Sequence, residues 1–214
     1  MIYQGPARYP VTEIILHCAD TRPEWMAGHP LLEKVAEIRR WHVQQRGWRD
    51  IGYHWIVDRD GAVAPGRRET EIGAHVEGHN RGTIGICLLG GYGTSVDDPF
   101  DKNFTAAQAA AVRRLISEIK GRTVIGKVSG HNEYAPKACP GFKVGKSAAV
   151  LGILASCPAV LQCRRAGSEP GRLECKLHQN QRRRQRQPAD ALCSGPINGQ
   201  PCLGSGGLRA GNHD

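Results

Sequence analysis

The sequence lacks the features of secreted and membrane-spanning proteins, and its first 145 residues lack those of disulfide-bonded proteins. Its first twenty residues contain no basic segment followed by an apolar stretch and a small-residue cleavage site, so we expect a cytoplasmic chain without a secretory signal. The longest apolar stretch, within residues 146–163, covers about fourteen residues, which is too few for a helix that crosses a membrane. Only Cys18, Cys87 and Cys139 lie in the first 145 residues, too widely spaced for a disulfide framework. No internal repeat is present.

Charge and composition divide the 214-residue chain into two regions. Residues 1–145 hold 19 basic and 16 acidic side chains, a net charge of +3, whereas residues 146–214 hold 10 and 4, a net charge of +6. The second region is rich in Arg, Gln, Gly and Pro and poor in apolar residues, which favours disorder. We therefore predict one packed domain over residues 9–145 and a basic, disordered tail rich in Cys, Arg and Gly over residues 146–214.

Strand and helix patterns alternate along the first region. Predicted strands cover Val11–Cys18, Tyr53–Asp58, Ala62–Pro65, Ile84–Gly91 and Thr123–Ser129. Helices are predicted from Pro30 to Gly47 and from Thr105, which forms a capping box with Gln108, to about Gly121. The order strand, helix, hairpin, strand, helix, strand predicts an α/β fold with a mixed central sheet flanked by helices.

One short stretch, GHNEYAPKACPGF from Gly130 to Phe142, has the composition of a site rather than of a helix or strand. His131 and Cys139 lie eight positions apart, and imidazole and thiolate are the commonest protein ligands for zinc. Taken alone this spacing is a weak indication, because a buried free cysteine is more often a small apolar side chain. His17 lies at the end of one predicted strand and His131 follows another, so the two rings can meet at one edge of the sheet.

Four motifs in order resemble the zinc-dependent N-acetylmuramoyl-L-alanine amidases of type 2. They read HCAD, IGYHWIVDRDG, HNRGTIGICLLGG and GHNEYAPKACPGF, and the resemblance runs from about Val11 to Val144. That group includes phage endolysins of the T7 lysozyme kind and is related to the peptidoglycan recognition proteins. The resemblance implies a peptidoglycan hydrolase that cuts the amide bond between N-acetylmuramic acid and L-alanine during lysis of a host cell.

The resemblance also assigns roles to individual residues. It makes His17, His131 and Cys139 the ligands of a Zn²⁺ cofactor with one position left open, as a catalytic zinc site requires. It implies that Tyr53 and Lys137 take part in catalysis. Which of these two side chains handles the proton of the reaction is left open.

Roles outside catalysis are expected for four other polar side chains. His75 and Asn80 fall in a loop that the resemblance places along the substrate groove, which implies contacts with the glycopeptide. His42 and His54 are expected to belong to packing.

Two non-enzymatic alternatives remain open from the sequence: a peptidoglycan-binding protein without turnover, and a regulator that binds phage RNA polymerase, as endolysins of the T7 kind also do. Cys139 favours the enzyme, because non-catalytic recognition proteins of this group typically lack the ligand cysteine. A monomer that reaches the cell wall through a separate lysis factor is expected.

Overall fold

The structure is a computed structural model of the chain, and it describes residues 1–152, 163–165 and 173–175. The chain divides into two compact units, Met1–Cys157 and Pro158–Asp214. The predicted catalytic range, 9–145, lies inside the first unit. Within the second unit, the short strands β8 (Cys163–Arg165) and β9 (Leu173–Cys175) pair antiparallel. The predicted disorder of the tail falls mostly on residues outside the described ranges.

A mixed five-stranded sheet forms the centre of the first unit, as predicted. Its strands are β3 (Glu13–Cys18), β4 (Trp55–Val57), β5 (Val63–Pro65), β6 (Thr83–Leu88) and β7 (Lys127–Gly130). Their order across the sheet is β5-β4-β6-β3-β7, and only β5 runs antiparallel to its neighbour. Because the other four strands are parallel, their carboxyl ends meet at one edge of the sheet, where ligand sites commonly form in α/β folds.

Three helices accompany the sheet: α1 (Leu31–Arg40), the four-residue α2 (Phe100–Asn103) and α3 (Ala106–Arg122). The capping box of α3 is confirmed, because the Gln108 amide N–H donates to Thr105 Oγ1 at 3.1 Å and the Thr105 amide N–H donates to Gln108 Oε1 at 3.1 Å. The first predicted helix is only partly α-helical. After α1 the chain continues as a π-helical turn, Trp41–Gln45. No helix in the described residues has the length and apolarity needed to cross a membrane.

The two faces of the sheet bury different apolar clusters. One cluster joins α3 to β3 and β6 through side chains such as Leu16, Ile86 and Ile116. The other joins α1 to β4 through Val35, Ile38 and Ile56. Because successive residues of a strand point to opposite faces, both sides of the central strands are covered, and all six residues of β6 are buried.

Two segments at the borders of the predicted domain also belong to the packed unit. The ribbon of β1 (Tyr3–Gln4) and β2 (Tyr9–Pro10) precedes the sheet, and Gln4 is fully buried. At the other end Val144 and Leu151 pack into the cluster that contains α3. The short ribbon was not predicted.

Candidate active site

Strand register brings the first two predicted ligands together. Strands β3 and β7 are parallel neighbours, and Leu16 on β3 pairs with Gly130 on β7. The residues that follow this pair, His17 and His131, therefore emerge side by side at the carboxyl edge of the sheet. Their ring centroids lie 4.8 Å apart.

The third predicted ligand is delivered by the loop that follows β7. Hydrogen bonds within the loop fix its path: the Gly130 amide N–H donates to Glu133 Oε1 at 2.9 Å, and Asn132 Nδ2 donates to the Phe142 carbonyl at 3.0 Å. The Tyr134 hydroxyl also donates to the Glu13 carboxylate on β3. Since Phe142 is fully buried in the core, the loop is anchored at both ends and Cys139 has a defined position.

His17, His131 and Cys139 form one cluster. Their ligand atoms all lie within 4.8 Å of one another, and His17 Nδ1 is 3.7 Å from Cys139 Sγ. A tetrahedral zinc with Zn–S of about 2.3 Å and Zn–N of about 2.0 Å separates such a nitrogen and sulfur by about 3.5 Å. The donor types and this distance therefore fit zinc. Among the described residues the cluster offers three protein ligands, which leaves a fourth position open.

Burial controls the protonation of this cluster. It lowers the pKa of His17 well below its ordinary value, and the neighbouring His75 and His131 lower it further. Burial, together with the charge of Lys137, also lowers the pKa of His131. Both rings are thus neutral, the form that binds a metal ion. The hydrogen bond to Cys18 and burial raise the pKa of the Cys139 thiol, and a bound cation is the interaction that would favour its thiolate.

The two predicted catalytic side chains border the same groove, which has a volume of about 850 Å³. The Tyr53 ring lies 5.2 Å from the His17 ring, and burial raises the pKa of its phenol well above the ordinary value. Tyr53 is therefore a hydrogen-bond donor at neutral pH. Lys137 is exposed on the loop, two residues before Cys139.

The predicted substrate contacts, His75 and Asn80, also line the groove, but both make bonds inside the protein. The ring of His75 is buried, and its Nδ1 lies 3.1 Å from His17 Nε2. Asn80 Oδ1 accepts the amide N–H groups of His75 and Val76 at 2.8 and 2.9 Å. Contacts of these two residues with a glycopeptide stay a prediction.

The histidines assigned to packing are buried as expected. His42 Nδ1 accepts the Gly52 amide N–H at 3.1 Å, and its ring lies 4.7 Å from the Trp48 ring. His54 accepts the Gly85 amide N–H at 3.0 Å and donates to the Glu71 carbonyl at 2.9 Å.

Other groove residues were missed from the sequence. Arg46 and Trp48 line the groove, with the Arg46 guanidinium 5.5 Å from the Trp48 ring. Both follow the π-helical turn Trp41–Gln45, which ends two residues before the predicted helix end at Gly47. The helical pattern does not show which side of this end faces the site. Thr83 and Gly85 do not line the groove but lie beside the His75 ring, and they were also missed, although a glycine inside a strand commonly marks a close approach of another group.

A cluster of three possible ligands differs from a structural zinc site, where four protein ligands close the coordination sphere. The cluster lies in a groove beside the Tyr53 phenol and the Lys137 ammonium group, an arrangement that is typical of a hydrolase site. Comparison with known proteins agrees with this class. The family described as N-acetylmuramoyl-L-alanine amidase matches residues 7–142.

Individual relatives support the same assignment. The endolysin of Escherichia phage T7 is 44% identical over 131 residues, which cover 60% of this chain and 80% of that endolysin. The structure of the amidase LysC from Clostridium intestinale superposes with a TM-score of 0.53 at 23% identity, covering 71% of this chain and 93% of that one. Bumblebee PGRP-SA superposes with a TM-score of 0.55 at 24% identity, covering 70% and 84%. These two structural matches establish the fold alone.

The chain belongs to the N-acetylmuramoyl-L-alanine amidase family. The predicted enzyme class is thereby confirmed: the protein is an amidase, and its substrate class is peptidoglycan.

Proposed function

We propose that the protein is a zinc-dependent endolysin that hydrolyses the amide bond between N-acetylmuramic acid and L-alanine in peptidoglycan. The observation that carries this proposal is the cluster of His17, His131 and Cys139, whose ligand atoms lie within 4.8 Å of one another in an open groove. These three side chains would hold the zinc. When bound, zinc supplies Lewis acidity, which activates water and polarises a carbonyl group.

The remaining steps fall to the protein's own residues. Attack on the amide carbon creates negative charge on the carbonyl oxygen, and the Lys137 ammonium, two positions from Cys139, stabilises that charge. The Tyr53 phenol remains protonated, so it donates a hydrogen bond to the same oxygen, or it accepts the proton released by the attacking water as its own passes to the departing amine of L-alanine. The groove holds the glycopeptide against these groups.

The lytic role is proposed from the similarity to phage endolysins. Synthesis in the cytoplasm, release through a separate lysis factor and a monomeric state belong to the same proposal. Binding to a phage RNA polymerase stays a prediction, since no contact or surface in the described residues favours it.

Product analysis tests the proposed reaction. The purified chain is incubated with peptidoglycan, with and without a zinc chelator, and new amino groups and new reducing sugar ends are both counted. We expect new N-terminal alanine, no new reducing ends, and loss of products with the chelator. Wall binding without products would instead identify a non-catalytic binding protein, and new reducing ends would identify a glycosidase.

A further inference from the structure

The buried hydrogen bonds behind His17 carry an inference that goes beyond the ligand set. His17 uses its two ring nitrogens in opposite directions: Nδ1 faces Cys139 Sγ at 3.7 Å, and Nε2 lies 3.1 Å from His75 Nδ1. The second nitrogen of His75, Nε2, lies 3.3 Å from Thr83 Oγ1. Thr83 Oγ1 in turn donates to the carbonyl of His79 at 2.9 Å. The His17 and His75 rings, the Thr83 hydroxyl and the His79 carbonyl thus form one buried row of hydrogen bonds.

The His79 carbonyl sets the direction of these hydrogen bonds. Thr83 Oγ1 also lies 3.1 Å from the carbonyl oxygen of Asn80. Carbonyl oxygens only accept hydrogen bonds, so the single hydroxyl proton of Thr83 points to the carbonyls of His79 and Asn80, and its oxygen accepts from His75 Nε2–H. A neutral imidazole carries one N–H, and His75 Nδ1 must therefore accept. Among the described residues, the donor that faces it is His17 Nε2–H. His17 Nδ1 is then left without a proton, with its lone pair facing Cys139.

We propose that His75 is a positioning residue that, through Thr83, holds His17 in the tautomer whose Nδ1 binds the metal ion. This inference rests on the proposed zinc site. If these hydrogen bonds ran in the opposite direction, His17 would carry its proton on Nδ1 and could not bind the metal ion through that atom. Hydrogen bonds from a metal-binding histidine to a second group commonly fix its tautomer and ring orientation.

The surroundings of the His75 ring are shaped to hold it in place. A Cβ atom added at Gly73 would lie 2.5 Å from His75 Cδ2, and one added at Gly85 would lie 2.7 Å from His75 Cγ. The ring therefore fits between two segments of bare backbone, one of them in β6. Asn80 Oδ1 also holds the backbone amide of His75, as described above. Both ring nitrogens are engaged, so a substrate would meet only ring carbons.

The first test reads the tautomer directly in the zinc-free protein. Long-range proton–nitrogen NMR correlations distinguish a protonated Nε2 from a protonated Nδ1. We expect His17 to carry its proton on Nε2. A wild-type protein with His17 protonated on Nδ1 would overturn the inference, whatever its zinc affinity or activity.

The second test uses variants of the chain and measures zinc affinity by competition with a chromogenic chelator. His75→Phe keeps a ring but removes the acceptor, and it is expected to weaken zinc binding about 10- to 100-fold. Thr83→Val removes the hydroxyl and is expected to weaken binding roughly tenfold and to mix the His17 tautomers. Thr83→Ser restores the hydroxyl, so wild-type affinity and a single tautomer should return.

The outcomes separate this inference from the proposed function. Failure of the wild-type protein to bind zinc would reject the proposed zinc-dependent function, while the NMR result on the His17 tautomer would still stand by itself. Tight zinc binding with equal affinities in wild type, His75→Phe and Thr83→Val would remove the positioning role alone. If a variant does not fold, as judged by circular dichroism, the wild-type NMR measurement still decides.

Discussion

His17 Nδ1 lies 3.7 Å from Cys139 Sγ, although 122 positions separate the two residues in the chain. Parallel pairing of β3 with β7 brings His131 to the same point, and an anchored loop supplies the thiol. The candidate site therefore depends on the sheet for its two histidines and on a loop for its cysteine.

Removal of the thiol ligand is expected to abolish zinc binding. Cys139→Ala leaves two imidazoles, which hold zinc too weakly for a stoichiometric site. We expect less than stoichiometric zinc by elemental analysis and no amidase products. His29→Ala is the control, because His29 is an exposed histidine whose ring bonds to Glu33 at 2.8 Å, and it should retain zinc and activity. Full activity in Cys139→Ala would show that Cys139 is not a ligand.

Tyr53→Phe separates chemistry from metal binding. The substitution keeps the ring that packs 5.2 Å from His17 but removes the donor hydroxyl. The turnover rate is expected to fall on the order of 100-fold, as for loss of one stabilising donor, while zinc content stays at wild-type level. Steady-state rates and zinc analysis on the same samples check this. A Tyr53→Phe enzyme with unchanged kcat would assign the proton step to another group.

Lys137→Gln tests the second catalytic assignment. Loss of the ammonium charge removes stabilisation of the oxyanion, so kcat is expected to fall at least tenfold with little change in zinc affinity. Lys146→Gln is the control, because Lys146 is an exposed lysine whose nearest carboxylate, Asp97, lies 3.9 Å away. Equal kcat values for the two variants would contradict a catalytic role for Lys137.

The ion pair of Lys34 with Asp58 is predicted to matter for stability. The two groups are 2.7 Å apart, and both side chains are about nine-tenths buried. Lys34→Met leaves the Asp58 carboxylate buried without its cation, which is expected to cost about 3–5 kcal/mol of unfolding free energy. The exposed pair of Arg114 with Glu118, 3.9 Å apart, is the comparison, and Arg114→Met should cost less than about 1 kcal/mol. Denaturant unfolding measures both free energies. Similar losses in the two variants would contradict a stabilising role for the ion pair of Lys34 with Asp58.

Acid is predicted to destabilise the zinc-free protein through its buried histidines. Burial lowers the pKa of His42 to about 4, from 6.5. The unfolded chain therefore takes up the proton first as the pH falls, so the contribution of neutral His42 is complete above pH 6.5 and is lost as the pH approaches 4. Between pH 7 and pH 4.5 the wild type should lose about 2 to 3 kcal/mol more than His42→Gln. Equal losses in denaturant titrations would contradict this.

Much of the fold could be predicted because its signals are local. The apolar strands and the capping box at Thr105 depend on near neighbours in the sequence, and each is observed within a few residues of its predicted position. The ribbon of Tyr3–Gln4 with Tyr9–Pro10 could not be predicted, because two-residue strands carry no periodicity. The π-helical turn at Trp41–Gln45 escaped for a different reason: a helical apolar pattern does not reveal which carbonyl each amide contacts.

The site shows the same division. The resemblance of four motifs to a known family predicted that His17, His131 and Cys139 group together. It did not predict that His75 is the partner of His17 Nε2. His75 is 58 positions from His17 and reaches it only through the fold of the loop before β6. A sequence pattern marks which residues are polar in that loop, but not whether a ring turns toward substrate or toward a neighbouring histidine.

Zinc titration of the metal-free protein tests the central claim most directly. The protein is stripped of metal, zinc is added in fractions of an equivalent, and cleavage of the muramoyl-alanine bond is measured at each addition. The account predicts negligible activity without zinc and a linear rise that ends at one equivalent per chain. Full activity in the metal-free protein, or no activity at any zinc concentration, would contradict it.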